Sequence, residues 1–460
     1  AQAILPQVKL LSESCQVFGH VSLRQLMARG LGTPLLGRTS SSRLAWALFG
    51  LTYMAYVGIY FARKPFSVVK STLESDLGLS RASLGMIDTA LLGSYCVGQT
   101  LLGATVNRLG RTTVVVAAYW ICGSLTALFG LTSDPMVMTI LWGMCGFFAA
   151  VVNPLLVLFV ADLFPASKRA SAVGLWQTSQ QMGGVAANLV ASAVMATYGW
   201  RAAFCASGAI VAVFAPPLLL GLRKHEKGLK SFCEADGKLG RGQAITSPFK
   251  VPGAASAGVA YSLVKMSRYC LMMWLPYFLS EHVGFGPAAA GILATVFDLS
   301  GALGSVVAGV VVDRCYGGKM ITVCVPQALA AGVAFLGWAV LGALEARAGT
   351  APSMAGHIAA MGVAGLLVAG PDGILGGAAS KNLVDYAGLA QEKTLAAAVS
   401  GMVNSCGSVG AILQGNLTAK LLDAVGWTGL FLTLSGSMFL TAVSLVPAMR
   451  VESRAMRQLP

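Results

Sequence analysis

Long apolar runs alternate with short polar breaks along most of this chain. Runs of membrane length fall at roughly 44–69, 83–106, 112–132, 135–161, 170–196 and 201–222. A polar, basic stretch follows at 223–250. Six further runs lie at roughly 252–280, 287–312, 320–344, 355–380, 394–420 and 427–448. Each run reaches the ~20 residues a helix needs to cross a bilayer core. Several contain glycine and polar side chains, so one face of each looks into a bundle and not into lipid. The pattern predicts an all-α membrane protein of twelve transmembrane helices in two pseudo-symmetric six-helix bundles. It divides the chain into a basic tail or transit-like segment at 1–43, a first bundle at 44–222, a linker loop at 223–251, a second bundle at 252–448 and a tail at 449–460.

The two sets of runs repeat each other. Gly103-Ala-Thr-Val-Asn107-Arg108 follows the second run, and Gly309-Val-Val-Val-Asp313-Arg314 follows the eighth, 206 positions later. Tyr198-Gly199-Trp200 with Phe204 precedes the sixth, and Val425-Gly426-Trp427 with Phe431 precedes the twelfth, 227 positions later. Two matches at equivalent places imply a duplicated six-helix unit, and parallel halves around a central site are a known transporter design. Proline also falls inside runs, at Asn153-Pro154 and at Gly370-Pro371-Asp372, which reads as a break in the fourth and in the tenth.

Composition agrees with a chain covered by lipid: 56% of residues are hydrophobic, 11% are charged, and the mean hydropathy is +0.72. The net charge of +14 would point to nucleic acid in a soluble protein. Here the basic residues sit mostly between apolar runs, so they report topology and no nucleic-acid partner is expected. With both termini in the cytosol, 23 of the 32 lysines and arginines lie on the cytosolic side, and Lys70, Arg81, Arg201, Arg347 and Lys420 lie opposite. The ten cysteines are scattered without a CxxC pair and read as small apolar residues.

Four basic residues remain inside the runs: Arg63, Lys64, Lys265 and Arg268. Arg63 and Lys64 close the first apolar run; Lys265 and Arg268 sit in the middle of the seventh. At ~100° per residue, Tyr53, Tyr56, Tyr60, Arg63 and Lys64 share an arc of about 100°, and Tyr261, Lys265 and Arg268 one of about 60°. Asp88, Tyr95 and Gln99 share a face of the second run, and Asp298 lies on the eighth. Intramembrane charge marks a functional site by default, and arginine's planar fork suits phosphate oxygens. Four cations against Asp88 and Asp298 leave +2, which suits a dianionic phosphate. Internal helix–helix pairing of the same residues is the competing reading. Trp176 and Gln180 belong to a polar cluster in the fifth run that lines a path or bonds to neighbouring helices. Asn107, Arg108 and Arg111, with Asp313 and Arg314 in the repeat, read as charge-pair latches at helix ends.

The Gly-x-x-x-Asn/Asp-Arg-x-Gly-Arg loop resembles the signature of the major facilitator superfamily. The segment Tyr60-Phe-Ala-Arg63-Lys64-Pro-Phe-Ser-Val-Val-Lys70-Ser resembles the first helix of its organophosphate:phosphate antiporters. It is most similar to the eukaryotic sugar-phosphate exchangers (solute carrier family 37) and to plant glycerol-3-phosphate permeases. Gly85-x-x-Asp88, Trp274-Leu-Pro276, Phe297-Asp298-x-x-Gly301 and Gly370-Pro371 extend the likeness over about 44–448. The resemblance implies the major facilitator fold and phosphate binding by the arginines matching Arg63 and Arg268. Lys265, Lys64, Tyr56, Tyr60, Tyr95, Gln99, Trp176 and Gln180 complete the expected substrate site. Asp88 and Asp298 are expected to gate it. Related bacterial antiporters carry a histidine where Gln180 stands and a lysine where Gln99 stands, so their substrate and any histidine proton step do not transfer.

The implied activity is exchange of a phosphorylated metabolite, glycerol-3-phosphate or a sugar phosphate, for inorganic phosphate by alternating access. It needs the lipid bilayer, no cofactor and no metal, and a monomer suffices. There is no GxxxxGK[ST] run, so no ATP is implied. No HExxH or GxSxG occurs, and His20, His225, His282 and His357 are not paired within a run, so no enzyme is expected. A proton-coupled organic-anion symporter of the same fold and a non-transporting membrane receptor or scaffold stay open as alternatives. The expected membrane is an endomembrane, the endoplasmic reticulum ahead of a plastid or another organelle.

Overall fold

A computed structural model describes residues 40–164, 166–223, 247–389 and 393–458. The expectations for 1–39 and for most of the linker lie outside them. The first pass joins α1 (Ser40–Ile59), a 3-10 turn (Tyr60–Ala62) and α2 (Pro65–Leu77). The second and third are α3 (Arg81–Leu109) and α4 (Arg111–Leu131), and the fourth is α5 (Pro135–Ala149) with α6 (Val152–Leu163). α7 (Ala166–Gln177), α8 (Ser179–Val213) and α9 (215–223) make the fifth and sixth. In the second half α10 (Ala254–Glu281) is the seventh pass, and α11 (Pro287–Leu293) with α12 (Thr295–Cys315) is the eighth. α13 (Met320–Ala348) is the ninth. α14 (Met354–Leu375) is the tenth, followed by α15 (Ala378–Tyr386). α16 (Lys393–Gln458) supplies the last two.

Among the described residues, eight stretches are long and apolar enough to cross a membrane, and two of them, Ala172–Arg223 and Ala398–Arg457, hold two passes each. The other two passes are α3 and α10, the helices whose polar faces lower their hydropathy. That accounts for all twelve.

The repeated Gly-Trp motif explains how each half turns between passes. Gly199 has φ 81° and Gly426 has φ 63°, a conformation that costs a residue with a Cβ but not glycine. Five residues after its glycine, each motif drops an aromatic into its half's core. Phe204 packs on Phe129 with centroids 4.4 Å apart, and Phe431 stacks on Trp338 at 4.2 Å. The burial of such rings, with edge and face contacts to Trp142 in one half and Phe278 in the other, holds the helices of each bundle together.

Helix ends are satisfied locally. The Asp134 carboxylate accepts from the amides of Met136 and Val137 at 2.8 and 2.9 Å. Glu452, fully buried on α16, accepts from the amides of Ile321 and Thr322 at 3.0 and 2.7 Å and so caps the ninth pass from the twelfth. α16 therefore runs through residue 448 and continues as packed helix to Gln458. The fourth pass does break, between Ala149 and Val152. The tenth does not: α14 continues through Pro371 to Leu375.

The halves meet through small residues. A Cβ added to Gly85 on α3 would come within 2.6 Å of the Gly415 carbonyl oxygen on α16, and one added to Gly415 within 2.7 Å of the Gly85 oxygen. The matching crossing in the other half puts Gly291 of α11 against Ser192 of α8 and Val68 of α2. Gly85 and Gly291 are 206 positions apart, the offset of the repeated loop motif. Close backbone approach between small residues is the usual basis of helix contact in lipid.

Candidate functional site

The first pass is not one helix. Its hydrogen-bond ladder is interrupted at Tyr60–Lys64, where Arg63 takes φ −131°, ψ −37°, and Pro65 restarts the helix as its first residue. Arg63 and Lys64 therefore stand at mid-depth, with α2 continuing for another 13 residues beyond them. This corrects the expectation that they close the first apolar run. Proline at the first helical position sacrifices no hydrogen bond, and the irregular turn lets two successive side chains leave the helix toward the second half.

Arg63 lies over the rings of Tyr95 and Tyr60, with its guanidinium carbon 5.1 and 5.6 Å from their centroids. In the second half, the Lys265 ammonium lies 5.1 Å from the Tyr261 centroid and 5.7 Å from that of Tyr269. Tyr60 and Tyr269 each interact electrostatically with both Arg63 and Arg268, so the two halves' cations face one shared space. Among the described residues neither Arg63 nor Lys265 has a carboxylate partner within 4.0 Å.

The other two cations of the cluster, buried Lys64 and part-buried Arg268, are paired. Lys64 donates to Asp298 at 2.8 Å across the interface between the halves. Arg268 is ion-paired with Asp372 on α14. Asp88, by contrast, pairs with Lys70 on α2, and both are buried. Two expectations change here. Lys70 does not lie in a loop on the far side but inside the first pass. Asp88 does not belong to the central charge count, and Asp372 does. Arg63, Lys64, Lys265 and Arg268 against Asp298 and Asp372 again leave +2, with different members from those first counted.

Around these charges the fifth pass gives up its side chains. A Cβ on Gly183 would fall 2.8 Å from Tyr60 Cδ2, and one on Gly184 would fall 3.1 Å from Asp298 Oδ2 and 3.3 Å from Lys64 Cε. Gly407 on α16 does the same for Lys265, whose Cδ would be 3.1 Å from an added Cβ. Gln180 accepts from the Tyr60 hydroxyl at 3.3 Å and donates to Gln177 at 2.5 Å. Trp176 is fully buried behind Tyr56, with ring centroids 4.7 Å apart, so it backs the tyrosine cluster. Gln99 is exposed one turn from Tyr95.

Of the helix-end residues, Arg111 bonds to Asp162 at 2.8 Å, tying the third pass to the fourth. Arg108, Asp313 and Arg314 are exposed and enter none of the ion pairs found among the described residues; the side chain of Asn107 lies outside them.

The side of the molecule opposite the termini is sealed. The Tyr277 hydroxyl donates to Glu74 at 2.5 Å and accepts from Arg81 Nε at 2.9 Å, and Arg81 also reaches Asp423 at 3.4 Å. Just beneath, the Trp274 ring from the second half covers the Lys70 ammonium at 3.9 Å. Among the described residues, the hydrogen bonds and ion pairs joining the two halves all lie at mid-depth or on this side.

Sequence reasoning missed Tyr269, Asp372, Lys70 and the Glu74–Arg81–Tyr277 latch. Tyr269 shares the Tyr261–Lys265–Arg268 face, and Asp372 is a charge in an apolar run, so both were within reach of the rules already applied. Lys70 falls one residue past the expected end of its run, so the break at Tyr60–Lys64 hid it. The latch joins residues some 200 to 340 positions apart and leaves no local signal.

The family model described as the Major Facilitator Superfamily matches residues 52–255 and again 257–459. The chain is 26% identical over 466 residues to the putative glycerol-3-phosphate transporter 2 of Arabidopsis thaliana, covering 91% of this chain and 89% of that one. It is also 26% identical over 461 residues to the glucose-6-phosphate exchanger SLC37A2 of Danio rerio, covering 86% and 91%. A bacterial homolog of the human lysosomal transporter Spinster, crystallised in an inward-facing and occupied conformation, superposes with TM-score 0.63 at 16% identity, covering 92% of this chain and 98% of that one. The nucleoside transporter NupG also gives TM-score 0.63, at 15% identity, covering 88% and 99%. These two likenesses concern the fold alone.

Proposed function

This chain belongs to the Major Facilitator Superfamily, and from that premise we propose that it exchanges a phosphorylated metabolite, glycerol-3-phosphate or a sugar phosphate, for inorganic phosphate. The observation that carries the reading is that Arg63 and Lys265, one from each half, lie against tyrosine rings and, among the described residues, have no carboxylate within 4.0 Å. A buried cation without a counter-ion is costly, and a dianionic phosphoryl group neutralises both at once. Arg63 offers the bidentate fork and Lys265 a point charge. Tyr56, Tyr60, Tyr95, Gln99 and Gln180 line the remainder, with Trp176 as backing. The names of the plant and fish relatives support the organic part of the substrate.

The proposed cycle is alternating access between bundles at 44–222 and 252–448, with the termini and the linker in the cytosol. The Lys64–Asp298 pair gates the centre, and the Arg81–Tyr277–Glu74 latch closes the far side. With the site empty, two like charges disfavour the crossing; with phosphate or its ester bound, the site is neutral and the halves rock. Obligatory exchange follows from that asymmetry, and a monomer contains the whole site. The proposed membrane is an endomembrane, the endoplasmic reticulum first.

The test is uptake of labelled glycerol-3-phosphate or glucose-6-phosphate into liposomes holding the purified protein. Uptake is expected to be many times faster into vesicles preloaded with inorganic phosphate than into empty ones. Equal uptake into both, driven only by a pH gradient, would overturn exchange in favour of proton symport. No flux of any phosphate would leave only a receptor role.

A further inference from the structure

The Arg268–Asp372 pair uses only one carboxylate oxygen. Oδ2 takes the guanidinium, while Oδ1 is buried with no hydrogen-bond partner among the described residues. Asp372 follows Pro371 on α14, one turn before Gly376, where an added Cβ would meet the Tyr261 hydroxyl, and its carboxylate interacts electrostatically with Lys265, Tyr261 and Tyr269, so it stands among the side chains of the proposed site. A buried acceptor left bare is an unmet demand for a donor. The dianionic phosphoryl group of an ester cannot meet it, because every one of its free oxygens is an acceptor. A hydroxyl on the organic part of the ligand can.

We propose that Asp372 Oδ1 accepts a hydrogen bond from a hydroxyl of the transported ester, making Asp372 the residue that selects phosphorylated polyols over phosphorylated alkyl chains. The inference rests on the phosphate reading of Arg63 and Lys265, and it adds a second pole to the site. Arg63 and Lys265 hold the phosphoryl end. Arg268, already neutralised by Asp372, does not bind a second phosphate but fixes the carboxylate that reads the other end. Sites that hydrogen-bond a ligand hydroxyl discriminate strongly against the analogue that lacks it, because the buried partner is left bare.

The experiment compares ligands that differ only in hydroxyls. Glycerol-3-phosphate is set against propyl phosphate, and glucose-6-phosphate against tetrahydropyran-2-ylmethyl phosphate, as competitors of labelled phosphate exchange and as direct ligands of the purified protein. The wild type is expected to prefer each hydroxylated ester by about tenfold to a hundredfold, the range of one hydrogen bond to a charged group. In Asp372→Ala the ratio is expected to fall close to one. In Asp372→Asn, which keeps an oxygen at that position without its charge, it is expected to fall part of the way. A wild type that does not distinguish the pairs, or an Asp372→Ala ratio equal to that of the wild type, overturns the proposal. If Asp372→Ala does not fold, an unchanged ratio in Asp372→Asn overturns it equally. Failure of the phosphate reading looks different, as a protein that binds neither inorganic phosphate nor any ester.

Discussion

Arg63 and Arg268 come from opposite halves, and they differ in what already holds them. Arg63 lies against tyrosine faces, with no carboxylate within 4.0 Å among the described residues, whereas Arg268 is bound to Asp372. Replacement by lysine should therefore separate them. Arg63→Lys keeps the charge but loses the fork, and about 1.5–3 kcal/mol for a charged hydrogen bond corresponds to about a tenfold to hundredfold loss of phosphate affinity. In Arg268→Lys the new ammonium can still satisfy Asp372, so the loss is expected to be several times smaller. Titration calorimetry with inorganic phosphate on the monodisperse variants checks this. Equal affinities in Arg63→Lys and the wild type would make the arginine structural. That four cations stand inside the membrane-spanning helices was legible in the sequence, because charge inside apolar runs is rare. Which of them are free was not legible, because pairing depends on carboxylates such as Asp298 and Asp372 brought in from distant helices.

At the scale of the element, the fifth pass matters for what it lacks. Gly183 and Gly184 bring bare backbone against Tyr60 and against the Lys64–Asp298 pair. A methyl at Gly184 must push the ion pair aside, and overpacking of this kind costs about 1–3 kcal/mol. Gly184→Ala is expected to slow exchange by roughly fivefold to a hundredfold if that cost falls on one conformational state, with helix content unchanged by circular dichroism. Gly337→Ala on α13, where an added Cβ meets nothing within 4 Å, is the control and should exchange at the wild-type rate. Equal rates for both variants would show that the fifth pass tolerates the methyl. The twelve helices were legible from hydropathy alone, and the turns at Gly199 and Gly426 from the repeated Gly-Trp motif. The break at Tyr60–Lys64 was not, because an irregular turn inside an apolar run changes no hydropathy. The unbroken course of α14 through Pro371 was missed for the converse reason: a proline can sit inside a membrane helix without ending it when neighbouring helices support the backbone.

Across the whole molecule, the side opposite the termini is closed by the Glu74–Arg81–Tyr277 latch and the Trp274 ring, and directly under them lie Lys70 and Asp88, both buried. Ions stripped of water lose several kcal/mol each, so an apolar pair of similar volume is often as stable or more so. The pair is thus a counterweight to the seal. When the halves part on that side, Trp274 leaves with the second half, water reaches both ions, and their hydration offsets part of the packing that is lost. Replacing the pair outright, as Lys70→Met with Asp88→Leu, is expected to raise the melting temperature and lower the exchange rate together. Asp88→Leu alone strands the ammonium and is expected to destabilise the fold by about 3–5 kcal/mol. Thermal melts and exchange at saturating substrate check both, and a double variant that is more stable but exchanges at the wild-type rate would remove the counterweight from the cycle. A seal made only of leucine and phenylalanine would hold this protein shut; two charges placed where they are least comfortable leave the door light enough to swing.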